Sequence, residues 1–234
     1  MSEKSVSINA NNNQKATIDS YQEFFNHFSI DKDKFYAWGI SATIFPDINE
    51  VSNAWVDLKH RILNNQTVYI RGYGRNAQNT QLYIDLYKAL FNNAHVKKDP
   101  TNNAIPQNNI QELIGRKRNS DIFNYQVCHI WGKTKNVFLF EAPWNICYKP
   151  KILDPFTGHE TKGIWPIEYQ KIFFEHAYNL YKPFVEDYNR LLLDYDIEVK
   201  LNDYLSSLKG TVPDGRLKQF ITDARRELSP IGRY

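Results

Sequence analysis

Cysteine is scarce. Cys128 and Cys147 are the only two in 234 residues. Two thiols make neither a disulfide framework nor a four-cysteine zinc site, and a reducing cytoplasm is the expected compartment. Long apolar runs are missing too. No stretch approaches the roughly 18 apolar residues of a membrane span, which argues against an integral membrane protein. Charge of one sign is not in excess: 29 Lys and Arg stand against 26 Asp and Glu, a formal net charge of +3. That balance permits nucleic-acid binding without arguing for it. No internal repeat is visible. The turn RGYGRN at 71–76 has neither the GxxxxGK nor the GxGxxG spacing, so no nucleotide cofactor is expected.

What is present is enough for a packed core. Hydrophobic residues make up 42% and aromatics 15% of the chain, which excludes global disorder. The length fits one large domain, or a core domain with an extra lobe. Asparagine is about one residue in ten. That abundance fits either a coding bias or a polar surface suited to hydrogen-bonding bases.

The chain is read in four parts. Residues 1–17 are polar and Asn-rich, and read as a flexible tail without a secretory signal. Residues 18–118 read as a helical recognition or dimerisation region. In it, a short helix follows Ile18, and 48–64 form an amphipathic helix with Val51, Trp55, Leu58 and Ile62 on one face. Thr67 to Arg71 read as a strand. Asn79 to Asn92 are helical with Leu82, Leu86, Ala89 and Leu90 inward, and 97–109, with two prolines, read as a loop. A short helix follows and ends in a basic cluster. Residues 119–165 hold two β-like runs, NYQVCHIW and NVFLF, joined by GKTK as a hairpin, then an irregular stretch. Residues 166–234 read as helical, with Pro183 at a kink or helix start and a last helix from Asp214 to Glu227. The fold class is therefore α+β: a mostly helical body around a small hairpin motif.

The informative stretch is Tyr125 to Gly163. It carries His129 late in a strand, Asn145 beyond the hairpin, then Asp154 and His159, nine and fourteen residues past Asn145. These residues resemble the HNH, or ββα-metal, endonuclease family. The match is to His129 in CHIW, Asn145 in WNI, Pro150 five residues on, and the ending Thr157-Gly158-His159. It covers about 40 residues of the chain.

The resemblance implies an embedded ββα-metal motif and hydrolysis of phosphodiester bonds in double-stranded DNA. It makes His129 the general base, because a neutral imidazole accepts the water proton near pH 7. Asn145 orients it by holding the loop. Asp154 and His159 become ligands of one divalent metal ion, Mg²⁺ or alternatively Mn²⁺, which polarises the phosphate. Many relatives have an acidic residue or His just before the base. Here Cys128 stands there, and it either ligates a soft ion or packs inward.

Arg116, Lys117 and Arg118 lie just before the hairpin and are candidates for DNA phosphates, as are Lys133 and Lys135 in its turn, and Lys149 and Lys151 beside Pro150. Arg75 and Asn76, in the Gly-rich turn, could read base edges. The large surface outside the motif suggests a sequence-specific type II restriction endonuclease, acting as a homodimer with one site per strand. The alternatives are a non-specific phage-defence or toxin nuclease, and a non-catalytic DNA-binding protein. Asp187 with Glu198-Val199-Lys200 also resembles a PD-(D/E)XK nuclease pattern, which needs its Glu and Lys on a strand.

Overall fold

Aspartates start the first three helices. In the computed structural model, which describes residues 18–73, 77–158 and 161–233, Asp19, Asp31 and Asp47 stand just before α1 (Ser20–His27), α2 (Lys32–Ala42) and α3 (Ile48–Leu63). Each carboxylate accepts a first-turn backbone N–H, which satisfies a donor that the helix itself leaves open. α2 was not expected from the sequence: its apolar residues follow no helical stripe. α3 is as read, with Val51, Trp55, Leu58 and Ile62 all buried.

A small parallel pair follows. β1 (Val68–Ile70) and β2 (Val96–Lys98) align Val68 with Val96, joined through α4 (Ala77–Phe91). The inward face of α4 carries Leu82, Leu86 and Leu90 as expected, but Tyr83 and Tyr87 complete it and Ala89 is exposed. The expected loop at 97–109 is corrected: α5 (Ala104–Ile114) starts there, with Pro106 in its first turn. Proline is tolerated in a first turn because no intrahelical donor is lost there. Asp99, fully buried, organises that start by accepting from the N–H groups of Thr101, Ala104 and Ile105.

The antiparallel pair is β3 (Tyr125–His129) and β4 (Ile146–Pro150), with Cys128 opposite Cys147 and His129 opposite Ile146. The second strand is thus not NVFLF. Residues 136–140 are instead a buried loop of turns whose polar groups are met by side chains. β4 is covered on both faces, and Ile44 pairs along its other edge. α6 (Asp154–Thr157) follows after a 3₁₀ turn at Lys151–Leu153.

α7 (Ile164–Asp194) is the longest element. It bends at Tyr181, two residues before Pro183, whose ring cannot follow a regular helix. α8 (Ile197–Ser207) and α9 (Asp214–Glu227) close the chain. One apolar core runs from Phe25 to Ile231, and a smaller one joins Ile110 and Ile122 to Ile146 and Tyr148. The chain is 60% helical with few small sheets, an α+β fold. Among the described residues, no helix is long and apolar enough to cross a membrane.

The PD-(D/E)XK pattern fails on this geometry. Glu198 and Lys200 lie on α8, not on a strand, and Asp187 is a structural acceptor. It takes hydrogen bonds from Trp55 Nε1 at 2.9 Å and Lys59 Nζ at 2.6 Å, tying α7 to α3. Asp187→Ala leaves the part-buried Trp55 N–H without its acceptor, which costs about 1–3 kcal/mol. The expected result in thermal unfolding is a Tm lower by several degrees; an unchanged Tm would show that the contact adds nothing.

Candidate functional site

β3 and β4 present two different faces, because side chains alternate along a strand. On one face stand Gln126, Cys128, Cys147 and Lys149. On the other stand Tyr125, Val127, His129, Ile146 and Tyr148, packed toward α5.

His129 ends β3. Its Nε2 lies 3.0 Å from the Phe140 carbonyl oxygen, and its ring stacks on Phe140 at 5.3 Å. A carbonyl only accepts, so Nε2 carries the proton and donates, which leaves Nδ1 with a free lone pair. Burial pushes the imidazole down to about 4, the hydrogen bond to Phe140 opposes this, and the nearby Arg71 guanidinium lowers it further. His129 is therefore neutral at pH 7, and its one basic atom is Nδ1.

The loop that carries Phe140 is held by Asn145, which is fully buried. Asn145 Oδ1 accepts from the Trp131 N–H at 2.9 Å, and Nδ2 donates to the carbonyls of Leu139 at 2.8 Å and Gly132 at 3.2 Å. The Ile130 N–H donates to the Asn145 carbonyl at 2.7 Å, closing the neck of the 130–145 loop. The turn beside this neck needs Gly132, whose φ is +63°. His129 and Asn145 thus both border this loop, and each side chain is hydrogen-bonded to it.

The expected metal ligands are placed elsewhere. Cys128 and Asp154 lie on the opposite face, around the ammonium of Lys149. Lys149 Nζ is 3.0 Å from Asp154 Oδ1 and also donates to Thr157 Oγ1; its side chain is 2% exposed. Gln126 Nε2 donates to the same Asp154 oxygen. The Cys147 thiol and Lys149 hold the Cys128 thiol below its usual range, while burial pushes Cys147 up. His159 lies outside the described residues. Among the described residues no three His, Cys, Asp or Glu side chains gather as a ligand set.

Among the described residues, Asp154 and Cys128 do not by themselves fit a divalent ion, because the Lys149 ammonium stands between them. Two unit charges 4 Å apart interact by about 4 kcal/mol at an effective dielectric near 20, and a divalent ion doubles that. An ion on Asp154 would meet this repulsion from an ammonium with almost no solvent to turn into. We expect titration calorimetry with Mn²⁺ to show no saturable heat for the wild-type chain. Tight, stoichiometric binding would reinstate Asp154, Cys128 and His159 as ligands.

Two expected DNA contacts are corrected. Lys133 Nζ donates to the carbonyls of Arg226 at 2.7 Å and Ser229 at 2.8 Å, and burial lowers its pKa to about 8. Lys135 pairs with Glu227 at 3.6 Å and covers the Tyr73 ring. Both are spent on the end of α9. Arg116 and Lys117 are exposed beyond α5, and Arg118 turns inward, half-buried. Arg75 and Asn76 lie outside the described residues. Arg71, at the start of the same turn, stands beside His129; it was not selected from the sequence, although it directly follows β1.

The profile of a protein family described as "Uncharacterised protein PM1201" matches residues 46–233. The chain belongs to this family. It is 40% identical over 183 residues to "Uncharacterized protein PM1201" of Pasteurella multocida (strain Pm70), spanning 78% of this chain and 83% of that protein. No solved structure matches. The family match takes in His129, Asn145, Phe140 and Arg71, and leaves α1 and α2 outside it.

Proposed function

We propose that this chain is an endonuclease that hydrolyses phosphodiester bonds of double-stranded DNA, with His129 as general base. One observation carries the reading: the Phe140 carbonyl accepts a hydrogen bond from Nε2–H, so Nδ1 is unprotonated and fixed in direction. A base that is unprotonated at pH 7 and held by a rigid loop is free to accept a proton from water, with less driving force than a group whose pKa matches the working pH. The resemblance of His129, Asn145 and the following short helix to the HNH endonucleases supports the same reading. Arg71 is the cation beside His129, suited to neutralising charge that develops on the phosphate. It makes no ion pair among the described residues. No step is routed through a metal ion, because Lys149 already holds Asp154.

The finer reading is a sequence-specific enzyme of the type II restriction kind, working as a homodimer so that each strand meets one site. The test is incubation of the purified chain with unmethylated phage DNA, in EDTA and separately in Mg²⁺ or Mn²⁺, followed by electrophoresis. Discrete fragments in EDTA are expected. Discrete fragments that need Mg²⁺ or Mn²⁺ would keep the nuclease and overturn the metal-free route. A smear would replace sequence specificity by a non-specific defence or toxin nuclease, and intact DNA under every condition would sink the enzyme.

A further inference from the structure

A cleft of 490 Å³ lies between β3 and α5, with Val127 in its wall and Thr101, Asn103, Gln107, Asn108 and Arg118 as its polar lining; Gln126 borders it too, but its side-chain amide is given to Asp154 on the other face of the strand. No carboxylate lines it. Two buried polar atoms on these lining residues have no partner: Asn103 Oδ1 and Arg118 Nε. Both atoms are closed off from solvent, and the two residues line the cleft with the rest of their surface. The start of α5 is not the attraction, since Asp99 already occupies its first amides.

One guanidinium with side-chain amides and no acid suits a group that is anionic at one end and edged with donors and acceptors at the other. A nucleotide is such a group. Guanidinium binds phosphate oxygens, and Asn or Gln amides pair bidentately with adenine edges. Position supports the same class of ligand. Val127 and His129 share a face two residues apart, so the cleft begins about 7 Å from the base. That is about two nucleotide rises along one DNA strand.

We propose that this cleft is a nucleotide subsite that seats the phosphate of a nearby residue of the cut strand on Arg118 and reads its base with Gln107 and Asn103. The inference rests on the nuclease reading, and deepens it by naming where sequence is read.

The test is binding, without cleavage. A fluorescein-labelled duplex with a randomised centre is titrated in EDTA at several salt concentrations, followed by anisotropy. Arg118→Gln is expected to weaken binding and to reduce the salt slope by about one counterion. Asn103→Asp places a carboxylate in the cleft and is expected to weaken binding at least about tenfold, close to the 1.4 kcal/mol that a tenfold change represents. Gln107→Ala is expected to keep the salt slope and relax the sequence selected from the pool at one position. Should Arg118→Gln unfold the chain, Asn103→Asp at unchanged Tm decides. Wild-type affinity and slope in every folded variant would overturn the subsite. An unaltered selected sequence with Gln107→Ala would overturn base reading. Failure of the nuclease reading is a separate result: it is undiminished cleavage by His129→Ala, which these binding titrations do not measure.

Discussion

Alanine in place of His129 is expected to lower DNA cleavage by about 10²- to 10⁴-fold, the usual contribution of a general base. Duplex binding is expected to be unchanged, because the proposed role of His129 is on the water molecule and not on the grip. The same residue sets the acid side of the rate profile. Burial holds its imidazole to about 4, so the base stays neutral through the physiological range and the rate falls only as the pH nears 4. Stability follows the same shift. The folded value lies below the unfolded value near 6.5, so the unfolded chain takes the proton first. The contribution is fully present above about 6.5 and is lost as the pH falls toward 4. Full cleavage by His129→Ala, or an acid limb near 6.5, would remove His129 from the role of base.

Asn145→Ala is expected to cost more in stability than any other single change named here. The substitution strands the Trp131 N–H and the Leu139 carbonyl in a region without solvent. At about 1–3 kcal/mol for each unmet group, the loss is about 2–6 kcal/mol. For a chain of this size that is a fall in Tm of roughly 4–24 °C. The loop amides at 130–140 are expected to lose hydrogen-exchange protection ahead of the rest of the core. A variant with unchanged Tm and protected amides would show that Asn145 does not hold the loop.

The elements that the sequence announced are those with a single apolar stripe. α3 and α9 fall where the pattern places them, because one face meets the core and the other meets water. β4 was missed for the opposite reason. Ile146 to Pro150 is buried on both faces, so it shows no alternation, and it contains a proline and a lysine that look like surface residues. NVFLF was mistaken for the partner of β3 because an apolar run says that a segment is buried, not that it is extended. α5 was hidden by Asn102, Asn103 and Pro106, which signal a loop until Asp99 is seen gathering the amides behind them.

At the site, His129 and Asn145 were legible as a pair, since both sit where the loop neck closes. The separation of His129 from Cys128 was legible in principle: neighbours on one strand point to opposite faces. The counter-charge of Lys149 was not, because nothing in the spacing of Lys149 and Asp154 tells a buried ammonium from a surface one.

The loop that directs His129 is fastened from far along the chain. Asn136 Nδ2 donates to Tyr188 Oη at 2.8 Å and to the Glu227 carbonyl at 2.7 Å, and Lys133 grips Arg226 and Ser229 just beyond. During synthesis, residues 125–150 leave the ribosome while the residues that anchor them are still untranslated. The His129 ring therefore gains its fixed direction only after α9 has emerged.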